Sequence, residues 1–173
     1  CQGIAHEIDN AYWVFDGQSS DIVRYDFADD HGPGANYHGD GIIHRYRDYS
    51  VAMDPQEKVV SHLVLDKLTN WLYVVDYGNQ RVMRLDITTG TKGLNSNIYN
   101  FESVKEYKNI NGYTWETVVD TGLLEPAGID IIEDRMIVSD YATGEIIIYD
   151  ISVNPAVEKG RISTNSQGIM GVK

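Results

Sequence analysis

The stretch Asn70-Trp71-Leu72-Tyr73-Val74-Val75-Asp76-Tyr77-Gly78-Asn79-Gln80-Arg81-Val82-Met83-Arg84-Leu85-Asp86 decides the fold. Leu72 to Val75 is a short apolar run of β-branched and aromatic residues, which at this length predicts a strand. Asp76-Tyr77-Gly78-Asn79 predicts a turn, because Asp and Asn bond the local backbone and Gly accepts a positive φ. Val82, Arg84 and Asp86 then alternate with Met83 and Leu85, the period of two that marks a half-buried strand. The unit reads as a β-hairpin.

Working outward, the same unit recurs. Tyr12-Trp13-Val14-Phe15-Asp16-Gly17 is followed by Asp21-Ile22-Val23-Arg24-Tyr25-Asp26, and Met136-Ile137-Val138-Ser139-Asp140-Tyr141 by Glu145-Ile146-Ile147-Ile148-Tyr149-Asp150. The paired aspartates 16 and 26, 76 and 86, 140 and 150 are each 10 residues apart, and the copies are offset by 60 and 64 residues. An apolar stretch precedes each copy: Gly3-Ile4-Ala5-His6, His62-Leu63-Val64-Leu65-Asp66 and Gly128-Ile129-Asp130-Ile131-Ile132. Repetition of this kind outranks every local signal in deciding architecture.

These residues resemble the NHL-type repeats of β-propellers, with a Gly-Ile-Ala-Val-Asp-like inner strand, a Tyr-Val-x-Asp second strand, a Gly-Asn-x-Arg turn and a third strand ending near Asp. Pro126-Ala127-Gly128-Ile129-Asp130 and Asp76-Tyr77-Gly78-Asn79-Gln80-Arg81-Val82 match it best. The resemblance covers nearly the whole chain except the connecting insertions. It implies an all-β fold, a β-propeller fragment of about three four-stranded antiparallel blades from a six-bladed, NHL/TolB-like parent. Propellers host lyases, hydrolases, sensors and binding modules, so the resemblance specifies fold better than function.

Residues 1–173 form one partial propeller domain, with repeat units at about 3–49, 60–119 and 124–163 and the start of a fourth at 167–173. The chain is expected to be a piece of a longer protein, with the missing blades of the same parent as its first partner. The single cysteine, Cys1, excludes an internal disulfide. It fits pairing upstream, an inert thiol or, last, a lipidated first residue. The net charge of −12 argues against nucleic acid, which needs a basic footprint. No run reaches the 18 apolar residues of a membrane span.

Along the chain, the first unit carries a loop over residues 28–41 whose glycines, proline and acids exclude regular structure. Its outer strand, Ile42 to Tyr49, alternates polar residues as an exposed sheet edge does. In the second unit, residues 88–100 read as a polar loop. Strands are predicted from Val104 to Ile110 and from Tyr113 to Val119, and Asn111-Gly112 between them is a hairpin signal. The third unit ends in an outer strand from Val157 to Ser163.

Four of the five histidines fall in the first 45 residues. His31 and His38 share the Gly-rich loop with Asp29, Asp30 and Asp40, a set of nitrogen and oxygen donors suited to a divalent metal such as Zn or Ca. The competing reading is a solvated acidic loop. His62 occupies the place of Gly3 and Gly128, at the start of an inner strand that in a propeller lines the central channel. The resemblance extends to the amidating lyase that cleaves peptidyl-α-hydroxyglycines, where histidines at this blade position bind an axial zinc; Ser61-His62-Leu63-Val64-Leu65 is similar to one such segment. The metal candidates are thus His31, His38, Asp40 and His62, and a divalent metal, Zn or Ca, is the one cofactor the sequence leaves open. Asp16, Asp76 and Asp140 recur too regularly for catalysis and read as turn acceptors.

The expected function is a non-enzymatic binding or scaffolding module for a protein or small-molecule ligand, acting outside the cytoplasm in a periplasmic or secreted location. The alternative is a propeller enzyme with a metal-dependent axial site, a lyase or a lactonase-like hydrolase.

Overall fold

The computed structural model describes residues 2–32, 37–100 and 102–172. Cys1 and residues 33–36 of the long loop, on which expectations were placed, lie outside the described residues. The first unit forms β1 (Ile4–His6), β2 (Ala11–Asp16), β3 (Asp21–Asp26) and β4 (Ile42–Tyr46). The second opens with β5 (Leu63–Asp66), β6 (Trp71–Asp76) and β7 (Arg81–Asp86). It continues through β8 (Thr91–Asn95) and β9 (Glu106–Asn111) to β10 (Trp115–Val119). The third forms β11 (Pro126–Ile132), β12 (Arg135–Asp140), β13 (Glu145–Asp150) and β14 (Val157–Ser163).

The protein is all-β, and its sheets are built on four antiparallel strands: β1-β2-β3-β4, β5-β6-β7-β10 and β11-β12-β13-β14. The recurring hairpin has one register throughout. Asp16 faces Asp21, Asp76 faces Arg81 and Asp140 faces Glu145 across its closed end. The turn after Asp76 is a single 3-10 turn over Tyr77–Asn79, closed by Gln80 in the left-handed region.

Period-two alternation sends neighbouring residues to opposite faces, and the two faces build two cores. Trp13, Phe15, Ile22 and Tyr46 of the first sheet pack on Leu63, Leu72, Val74 and Leu85 of the second. Tyr73, Val75 and Val82, on the other face of the second sheet, pack on Ile129, Met136, Val138, Ile147 and Tyr149 of the third. Each fully buried Leu, Val or Phe contributes about 1.5–3 kcal/mol. A surface ion pair contributes at most about 1 kcal/mol, so these two seams hold the molecule together.

The inner strands β1, β5 and β11 lie side by side in chain order. A Cβ on Gly3 would sit 2.6 Å from the Ser61 carbonyl oxygen, and one on Gly128 would sit 2.7 Å from that of Met170. The His62 amide donates to the Ala127 carbonyl at 3.1 Å. The start of each inner strand therefore abuts the start of the next apolar segment, which explains glycine at two of the three places.

Three expectations fail. Residues 88–100 are not wholly a loop, since they contain β8. Nor does Asn111-Gly112 close a hairpin between β9 and β10. Instead β9 runs parallel to β4 and antiparallel to β8, adding both strands to the first sheet, while β10 pairs with β7. The outer strand of the first unit is thus covered, not an exposed edge. Side chains decide this. The His44 ring contacts the Glu106 carboxylate at 2.6 Å, and the Arg45 guanidinium donates to the Tyr107 hydroxyl at 2.6 Å. Ile110 and Tyr113, on either side of the turn, enter the core around Tyr46, where the Tyr46 and Tyr113 rings lie 5.0 Å apart. Gly112, at φ +65, donates its amide to Asp48 as the chain crosses from one sheet to the next.

Candidate functional site

The loop between β3 and β4 and the segment leading into β9 meet at the outer end of the first sheet. Strand alternation places Tyr25 and Ile43 side by side on one face, and their register across β3 and β4 is direct. Phe27 stacks on Tyr25, with centroids 6.2 Å apart and planes 13° apart. Ile42, Gly41 and Val104 close the other wall, because Gly41 accepts the amides of Lys105 and Glu106 through its carbonyl. The result is an open cleft of about 290 Å³ whose polar rim is His38, Glu102 and Asn100. The Asn100 side-chain amide donates to the Glu102 carbonyl at 2.5 Å, which fixes that rim.

The four metal candidates are dispersed. His31 Nε2 contacts both carboxylate oxygens of Asp40 at 3.1 Å, and the Tyr37 ring stands edge-on to the imidazole at 5.1 Å. The His31 contact holds the Asp40 carboxyl below the usual carboxylate range. His38 Nδ1 instead pairs with the Glu102 carboxylate, and its ring leans on Phe27 at 5.7 Å. Asp30 is occupied by the Gly32 amide at 2.8 Å. Among the described residues no three His, Cys, Asp or Glu side chains converge on a point where they could hold a metal ion.

His62 sits elsewhere, at the head of β5. It is half-buried, and burial pulls its imidazole below the usual histidine range. The adjoining Ser61 hydroxyl is fully buried and has no hydrogen-bond partner among the described residues. Gly3 and Gly128 at the matching places supply no second donor.

The repeated aspartates act as turn acceptors. Asp76, wholly buried, accepts from the Ala52 amide at 2.7 Å, from the Asn79 side chain and from Arg81 Nε at 2.7 Å. Asp140 accepts from the amides of Leu124 at 2.7 Å, Glu125 at 3.2 Å and Thr143 at 3.2 Å. Asp16 differs: its partners are the Ser19 amide at 3.3 Å and Arg45 Nη1 at 2.8 Å. Burial pushes its carboxyl up, but Arg45 and Ser19 outweigh burial and hold it below the usual range. Asp21 also accepts from Arg45, at 2.9 Å, yet there burial wins and the carboxyl is raised.

Sequence reasoning missed Glu102, Glu106 and Val104 as neighbours of the histidine loop. No local pattern in the sequence reports them, because β9 docks in parallel on β4 from 64 residues away, with Ile42, His44 and Tyr46 opposite Glu106, Lys108 and Ile110. Among the described residues no helix is long and apolar enough to cross a membrane. No family model matches the chain, and no curated protein is significantly similar to it.

Proposed function

We propose that the chain is three blades of an NHL-type β-propeller and works as a non-enzymatic binding module, located outside the cytoplasm. The blade reading is supported by the recurring hairpins, the side-by-side inner strands and the face-to-face packing of successive sheets. The binding reading is carried by one observation, the cleft at the outer end of the first sheet. Its walls are Tyr25, Phe27, Ile42, Ile43 and Val104, and its polar groups gather on one side at His38, Glu102 and Asn100. Concave, mostly apolar sites with a few convergent polar groups are where small ligands bind. The ligand that fits is a small molecule with an aromatic or branched aliphatic body and one hydrogen-bonding end. Aromatic walls hold the body by stacking and area burial, and the His38–Glu102 pair orients the polar end.

The experiment is a fragment screen read by backbone and aromatic NMR shifts. Binders should perturb Phe27, Val104 and the His38 ring together, and Val104→Trp, which fills the cleft, should abolish those shifts while leaving the melting temperature within a few degrees. Fragment shifts confined to other surfaces, or unchanged in the Val104→Trp variant, would contradict the assignment.

A further inference from the structure

Asn111-Gly112 is the one asparagine–glycine step in the chain, and it does not close the hairpin that it predicts between β9 and β10. Asn111 ends β9 and is exposed, and its backbone carbonyl accepts from the Thr91 hydroxyl at 3.5 Å. Its carboxamide lies over Gly93 of β8, so close that a Cβ there would stand 2.2 Å from the amide nitrogen. Gly112 follows outside the strand at φ +65, and a Cβ on it would meet nothing within 4 Å. Its amide donates to Asp48 Oδ2 at 2.7 Å, on the connection leaving β4, 64 residues earlier.

We propose that Asn111 is a self-modification site, converted to aspartate and isoaspartate through a cyclic imide, with Asp48 as the base. The Gly112 nitrogen attacks Cγ of Asn111 and forms the new C–N bond of a five-membered succinimide, while its proton passes to the Asp48 carboxylate. The bond from Cγ to the side-chain nitrogen then breaks, and Asp48 returns the proton to that nitrogen, so that ammonia leaves. Water opens the ring at either carbonyl. One opening gives aspartate, and the other gives isoaspartate, whose main chain runs through the side-chain carbons. One water enters, one ammonia leaves, and nothing is oxidised or reduced. A base must lie within about 2.6–3.2 Å of the atom whose proton it takes, and Asp48 does so. Glycine leaves the nitrogen open, since no side chain shields it from the carboxamide or the ring from water. Two other asparagines show the contrast. The Asn79 side chain is held by both oxygens of the buried Asp76, and Asn154 precedes Pro155, whose nitrogen has no proton to give up.

The product changes the junction. A carboxylate at position 111 stands beside the Gly112 amide that Asp48 holds, and the two like charges repel. Isoaspartate also inserts a methylene into the backbone between Ile110 and Tyr113, whose side chains anchor the crossing in the core. Modification therefore loosens the step from the first sheet to the second. This site is distinct from the outer cleft and does not depend on a ligand there.

The test incubates the folded protein and a synthetic peptide of residues 108–114 side by side in neutral buffer. Mass spectrometry follows position 111, with isoaspartate told from aspartate by fragmentation. Asn111 should convert about tenfold faster in the folded protein than in the peptide. That is short of the about hundredfold that a well-placed base supplies, because the Asn111 backbone is held at the end of β9. Asp48→Asn keeps an oxygen for the Gly112 amide but is no base, and it should bring the folded rate down to that of the peptide. Asn111→Gln, which would need a six-membered ring, should stay unmodified, and Asn111→Asp should melt below the parent. Conversion no faster in the folded protein than in the peptide would overturn the proposal, as would a folded rate that Asp48→Asn leaves unchanged. An Asn111→Asp variant that melts with the parent would overturn the loosening.

Discussion

At the scale of the residue, the aspartates carry the argument. Their recurrence at the end of each second strand marked them as turn acceptors, and Asp76 and Asp140 are buried acceptors of three or more donors each. Asp76→Ala strands the Ala52 amide, the Asn79 side chain and Arg81 without their acceptor. At about 1–3 kcal/mol for each buried group left unsatisfied, discounted for the partial exposure of Arg81, the variant should lose about 3 kcal/mol. Urea denaturation checks this, and fragment binding in the outer cleft should be unaffected in the folded variant. The donors themselves were not legible in the sequence. Ala52 lies 24 residues and Leu124 16 residues before its acceptor, in segments with no pattern of their own. The histidines show the same limit. His31 and Asp40 were read as one set and do pair, but His38 turned to Glu102, 64 residues away.

Among the elements, the hairpins with strong periodicity were legible to within a residue or so, and β14 matches its predicted bounds. The β8–β9 pair was not. Thr91-Lys92-Gly93-Leu94-Asn95 has no apolar alternation, and its partner strand docks in parallel on another unit, which a local turn signal cannot report. Charged contacts add to the strand ladder and to the core packing of Ile110 in holding β9 on β4, so acid should weaken this junction. Lys92 at 2.7 Å, and then His44, pull the Glu106 carboxyl down to about 2. A carboxylate depressed in the folded state adds stability that is fully present above its ordinary value of 4.5 and is lost as pH falls through about 2. Glu106→Gln should therefore melt below the parent near neutral pH, and the gap should shrink from pH 4.5 downward and vanish near pH 2. Melting curves of both proteins across that range test it; a gap constant with pH would show that Glu106 acts by packing alone.

For the whole molecule, three repeats were legible because each repeats the same strand pattern and the same spacing of its two aspartates. Leu72 and Met136 pair with Tyr12, and Leu85 and Tyr149 with Tyr25, by position alone. What the pattern did not reveal is that β8 and β9 enlarge the first sheet, or that the cleft forms where they join it. The central claim is that the sheets stack in chain order, each presenting one face to the next. Solvent paramagnetic relaxation of the isoleucine δ1-methyls tests that order most directly. The account predicts strong broadening at the exposed Ile4 and Ile162 and protection at Ile22, Ile129 and Ile147. Broadening of Ile22, Ile129 or Ile147 as strong as that of Ile4 would contradict it.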